Sequence, residues 1–161
     1  MEKRIATKLP RKGTFWRTRA AVTGKQERVG VVIVDHGSKR EASNAQLLQF
    51  VDLYKRTSGR TIVEPAHMEI AQPDIEQAFE RCVAQGATRV VVGPYFLARG
   101  RHIQQDIPKL VKEAAEKFPG IQYRIADPIG TDPMLAEIIE AKVSAQLANM
   151  LEGETQEGVG P

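Results

Sequence analysis

The chain has 161 residues, 42% hydrophobic and 27% charged, which suits one globular domain large enough to bury a core without disulfides or a structural metal. It has no apolar run near the roughly 20 residues that cross a bilayer, and its single cysteine, Cys82, excludes an internal disulfide or a cysteine-built metal cluster. The formal charge of +3 is uneven: residues 1–28 carry nine Lys or Arg against Glu2 and Glu27, so the remainder is mildly acidic and no nucleic-acid partner is expected.

Residues 1–28 are basic and lack the apolar stretch of a secretory signal. They read as an organelle-targeting leader or a disordered extension. From residue 29 to 150 the pattern alternates. Residues 29–34 form a β-branched run suited to a strand buried on both faces. Residues 38–57 place Leu47, Leu48, Val51 and Tyr54 at helical spacing, with Gly59 as a stop. A short strand is predicted over 60–66, around Ile62 and Val63. Pro73 opens a helix carrying Ile75, Ala78, Phe79, Cys82 and Val83, which Gly86 ends. A third strand is predicted over 88–92, then a helix over 107–118 stopped by Pro119-Gly120. The last pair is a strand over 121–126 and a helix over 132–150, with Leu135, Ile138, Ile139, Val143 and Leu147 on one face. Residues 151–161 read as a flexible tail.

Four β-then-α units with short connections predict an α/β fold: a four-stranded, mostly parallel sheet with helices on both faces. With strand order 2-1-3-4, the first and third strands meet at the switch point, where ligands bind beyond the carboxyl ends of the strands. All three histidines follow predicted strands: His36 the first, His67 the second and His102 the third. His36 and His102 are expected to face one crevice, with His67 and Glu69 beside it. Two imidazoles and a carboxylate suit a borderline divalent cation such as Fe²⁺ or Co²⁺ with open positions for exchange. They also accept protons near neutral pH.

The segments VDHGSKREASN (34–44), VEPAHMEIAQPDI (63–75), ATRVVVGPYFLARGRHIQQDIP (87–108) and ADPIGTDPML (126–135) resemble the small sirohydrochlorin chelatases, most of all the plant type. The resemblance runs over residues 29–148. It implies insertion of a divalent metal, Fe²⁺ by preference, into sirohydrochlorin, with half the architecture of a two-lobed chelatase. It places metal binding and proton acceptance on His36, a second metal ligand at His102 and a substrate-contacting carboxylate at Glu69. A tetrapyrrole-contacting loop falls on Phe96, Leu97, Ala98, Arg99, Gly100 and Arg101; His67 matches plant-like members only. It further implies a homodimer, which supplies a second wall for a flat macrocycle, and a chloroplast location, with the cytoplasm as the alternative. Plant-type relatives can carry a Cys-rich tail with an iron–sulfur cluster; the tail here, GETQEGVGP, has no Cys, and no cluster is expected.

Plainer readings stand beside these. Arg99 and Arg101, like Lys39 and Arg40, are either solvated charges or partners for the substrate's carboxylates. Asp35 and Asp106 either bond the neighbouring imidazoles or, Asp106 especially, mark a helix start. Gly37 and Gly100 either allow turns or admit a flat ligand. Tyr95 and Phe96 are ordinary core residues unless the resemblance moves Phe96 into the site. Competing functions are a cobalt chelatase, a non-catalytic tetrapyrrole or metal carrier, and a histidine phosphatase. The phosphatase needs an Arg beside its histidine where this chain has Asp35.

Overall fold

The computed structural model describes residues 28–157. The leader expected over 1–28 therefore lies, Arg28 apart, outside the described residues, as do residues 158–161. Four strands, β1 (Val29–Asp35), β2 (Val63–His67), β3 (Arg89–Pro94) and β4 (Gln122–Ile125), alternate with helices α1 (Glu41–Ser58), α2 (Ile75–Ala84), α3 (Ile107–Glu116) and α4 (Pro133–Glu157). The sheet is wholly parallel in the order β2-β1-β3-β4, as the alternating pattern predicts.

β1 shows why the β-branched run forms a central strand. Val32 and Val34 point into the larger core with Phe79, Ile107 and Val111, from α2 and α3. Val31 and Ile33 point the other way, onto Leu47 and Val51 of α1. α2 comes so close that a Cβ at Gly30 would lie 2.8 Å from Cys82 Cβ. Pro65, which lacks a ladder donor, sits on the edge strand β2.

Helix ends depart from expectation for local reasons. α1 starts at Glu41, three residues after Ser38, because Asn44 grips the preceding loop: its Oδ1 accepts from Ser38 N and its Nδ2 donates to Ser38 O, each at 2.9 Å. Gly59, left-handed at φ 69°, closes the helix with its N–H on Lys55 O. Leu48, expected on the buried face, is exposed instead. Pro73 precedes α2, which is capped by Asp74 in a capping box with Gln77. α4 continues past Met150 to Glu157, into the stretch expected as tail, where Leu151, Glu152, Glu154, Gln156 and Glu157 are good helix formers and outnumber Gly153 and Thr155.

α4 also departs in its packing. Its apolar face was expected to cover the sheet, yet every residue from 136 to 150 is exposed. No described helix is long and apolar enough to cross a membrane.

Cys82 is fully buried. Burial, then the charge of Glu64, pushes its thiol from 9.0 up to about 12, with Lys55 acting in the opposite sense. The neutral thiol is inert, so native protein at pH 8 is expected to leave a disulfide reagent uncoloured until denaturant is added. The unfolded chain loses this proton first, so the stability tied to Cys82 is present below about pH 9 and is lost as pH rises towards about 12. Immediate labelling at pH 8 would contradict the assignment.

Candidate metal and tetrapyrrole site

The carboxyl ends of β1, β2 and β3 bring the expected residues to one edge of the sheet. His36 follows β1 directly, and its Nε2 lies 2.8 Å from Glu69 Oε1, with both side chains about half exposed. Its Nδ1 lies 3.2 Å from the carbonyl of Gly37, so the tautomer that donates there turns Nε2 towards Glu69. That contact requires a shared proton. The His102 ring stands edge-on to the His36 ring, with centroids 5.0 Å apart. His102 Nδ1 pairs with Asp106 Oδ2 at 2.9 Å, which leaves Nε2 for a ligand.

The backbone locks this pair in place. Glu69 N donates to His36 O at 3.1 Å and Met68 N donates to Asp35 O at 2.8 Å. Gly37 has φ +86°, and a Cβ there would lie 2.0 Å from Glu69 O. Ile70, beside Glu69, is held at φ 71°, a conformation costly for a β-branched residue and one that marks a constrained loop.

His67 takes a different place from the one expected. It is the last residue of β2 and 1% exposed, with Nδ1 2.6 Å from Asp35 Oδ1, which also accepts from Gly37 N at 3.0 Å. This arrangement joins His67 to the His36 loop from beneath, and of the two readings of Asp35 it favours the imidazole partner. Asp106 likewise bonds an imidazole instead of capping a helix.

His102–Asp106 forms one π-helical turn leading into α3, not the open loop expected. Such a turn is frequent at functional sites, and here it puts His102 and Asp106 four residues apart on one face. A cleft of about 430 Å³ is lined by Met68, Glu69, Arg101, His102, Asp106 and Lys109. Lys109, missed in the sequence, was detectable as the cation seven residues, about two helical turns, beyond His102.

The tetrapyrrole loop is divided. Phe96 is half-buried against the larger core, whereas Leu97, Ala98, Arg99, Gly100 and Arg101 are exposed. Arg101 reaches the cleft, with Nε 3.8 Å from Asp106 Oδ1; Arg99 instead bonds Asp127 at 3.0 Å. Lys39 and Arg40 are exposed. No Cβ at Gly100 would meet an atom within 4 Å. Among the described residues no group of three or more His, Cys, Asp or Glu could hold a metal ion together. The arrangement is two facing imidazoles with a carboxylate on one of them, open to solvent.

Residues 30–146 match the CbiX family. The chain belongs to that family. It is 48% identical over 128 residues to the chloroplastic sirohydrochlorin ferrochelatase of Arabidopsis thaliana, covering 80% of this chain and 56% of that protein. It is 33% identical to the sirohydrochlorin cobaltochelatase of Sulfurisphaera tokodaii, covering 73% of this chain and 93% of that one. The fold matches the crystal structure of the sirohydrochlorin chelatase SirB from Bacillus subtilis in complex with cobalt, with a TM-score of 0.69, 29% identity, and coverage of 73% of this chain and 50% of that chain. The chain thus spans little more than half of the plant relative and half of the solved bacterial one.

Proposed function

We propose that the chain is a sirohydrochlorin chelatase that inserts a divalent metal, Fe²⁺ by preference, into sirohydrochlorin and releases two protons. The observation that carries this reading is the pair of facing imidazoles, His36 and His102, with Glu69 on His36 Nε2. Imidazole nitrogen suits a borderline cation, and a set this small binds weakly enough to release it. The incoming metal takes the place of the proton between His36 Nε2 and Glu69. When the metal passes to the macrocycle, that nitrogen is free again and, with Glu69 beside it, takes up one pyrrole N–H proton. His102 Nε2 or water receives the other. Asp106 and the Gly37 carbonyl fix which nitrogen each ring presents.

Arg101 and Lys109 flank the cleft and suit a substrate bearing many carboxylates. Arg101→Ala is expected to raise KM several-fold, most at low salt; Arg99→Ala, its partner being Asp127, is expected to do less. Steady-state kinetics at two ionic strengths checks this, and equal KM values at low salt would make Arg101 a plain surface charge.

The cleft is open on one side, and a second copy of the chain forms its opposite wall. The name of the plant relative and the basic residues 1–28 support a chloroplast location, which import of a reporter fused to residues 1–28 tests.

An anaerobic spectroscopic assay with sirohydrochlorin and each of Fe²⁺ and Co²⁺ tests the activity and the metal. The archaeal cobaltochelatase relative makes cobalt the second reading. Multiple turnover distinguishes an enzyme from a carrier, and no product with either metal overturns the proposal.

A further inference from the structure

Gly37 has a task that glycine performs badly unaided. Its carbonyl is the acceptor that faces His36 Nδ1 at 3.2 Å, and that bond decides which ring nitrogen is turned towards Glu69 and a metal. Asp106 does the same for His102 with a single carboxylate bond, whereas His36 relies on this carbonyl. The position cannot carry a side chain, because a Cβ would stand 2.0 Å from Glu69 O. Without a Cβ the backbone about Gly37 is free to turn unless other groups hold it.

The two peptide planes that meet at Gly37 are each tied down by a side chain. The plane before it carries the Gly37 N–H, which donates to Asp35 Oδ1 at 3.0 Å. That oxygen is held in turn by buried His67, whose Nδ1 donates to it at 2.6 Å. Asp35 and His67 are register partners on β1 and β2, so the sheet fixes their separation. The plane after Gly37 carries its carbonyl together with the Ser38 N–H, which donates to Asn44 Oδ1 of α1 at 2.9 Å. Asn44 returns a second bond, from Nδ2 to Ser38 O, also at 2.9 Å. The His36 ring is thus referred to the sheet on one side and to α1 on the other. Asp35, His67 and Asn44 all lie outside the lining of the cleft.

From these bonds we infer that Asp35, His67 and Asn44 are positioning residues for metal capture: they hold Gly37 so that its carbonyl accepts from His36 Nδ1 and the ring presents Nε2 to the incoming cation. The inference rests on the chelatase reading above and adds the residues that aim its first imidazole. His67 works without touching metal or substrate, which accounts for a histidine sunk beneath a site open to solvent. Release of either plane lets the carbonyl turn away, and the His36 ring then rotates about its own side-chain bonds. The two anchors act on one carbonyl, so losing either is enough and losing both adds little.

Co²⁺ alone, titrated calorimetrically into the full chain, is the probe. His67→Phe and Asn44→Ala are each expected to weaken Co²⁺ binding roughly 10- to 100-fold, the usual cost of losing a group that orients a metal ligand. His67→Asn is expected to recover most of that loss, because its Nδ2 stands as many bonds from the backbone as the Nδ1 it replaces. His67→Phe combined with Asn44→Ala is expected to bind little worse than either alone, whereas the losses from independent packing defects multiply. In turnover, KM for the metal is expected to rise and KM for sirohydrochlorin to stay, since Arg101 and Lys109 are untouched. A parent that binds no Co²⁺, parent-like affinity in either folded variant, His67→Asn no better than His67→Phe, or multiplying losses in the double variant would each overturn the positioning role. Should His67→Phe not fold, Asn44→Ala, at a half-buried side chain on α1, decides alone. Cobalt losses in the expected pattern beside a parent that forms no metallated product overturn the chelatase reading and leave the positioning role standing.

Discussion

Replacing His36 by Ala is expected to lower metal insertion by roughly 10²- to 10⁴-fold, the range for loss of a positioned proton-transfer group. Loss of a metal ligand from a two-imidazole site acts in the same direction. Stability is expected to change little. The His36 side chain is 42% exposed, water replaces it at the half-exposed Glu69, and exposed substitutions of this kind usually fall within about 0.5 kcal/mol. The measurement is turnover with sirohydrochlorin and Fe²⁺ beside a thermal melt of the same variant. A fall in activity with an unchanged melting temperature supports the role. Unchanged turnover in a folded variant would remove His36 from the chemistry and leave His102 as the sole imidazole.

The sheet was legible because its signals are local and redundant. The run of residues 29–34, the left-handed Gly59 and the short connections each allow one arrangement, and right-handed crossovers leave few strand orders. His36 and His102 were legible for a related reason: residues after parallel strands share one edge, and their rings lie 5.0 Å apart. Other features were hidden because they depend on partners distant in the chain. His67 ends a strand, and whether it faces solvent or Asp35 depends on a register that periodicity does not state. The grip of Asn44 on Ser38 looks in the sequence like an ordinary helix start. α4 is the clearest case: its apolar spacing predicts a buried face, yet every residue from 136 to 150 is exposed, because spacing states a pattern and not a partner. Leu48 and Leu53 show the converse, apolar residues left in water, as is normal singly.

Gly37→Ala is expected to be the most damaging of the glycine substitutions among the described residues, because it strikes fold and site together. An L-residue at φ +86° is strained in its own right, by about 1–2 kcal/mol. The new methyl would also stand 2.0 Å from Glu69 O, a backbone atom with no rotamer to change. The loops must therefore separate. That motion breaks the Glu69 N to His36 O bond and the Gly37 N to Asp35 Oδ1 bond, and it loosens the buried Asp35–His67 pair, whose imidazole is 1% exposed and costly to leave unpaired. A total near 3 kcal/mol is expected, which lowers the melting temperature of a chain this size by roughly 10 °C. Because His36 and Glu69 ride on the separating loops, turnover should fall even well below the new melting temperature. Gly100→Ala is the control for stability, since a Cβ there meets no atom within 4 Å and its melt should match the parent. If Gly37→Ala melts within about 2 °C of the parent and retains its turnover, the two loops are free to part, and the rigid pairing of His36 with Glu69 is not what the site depends on.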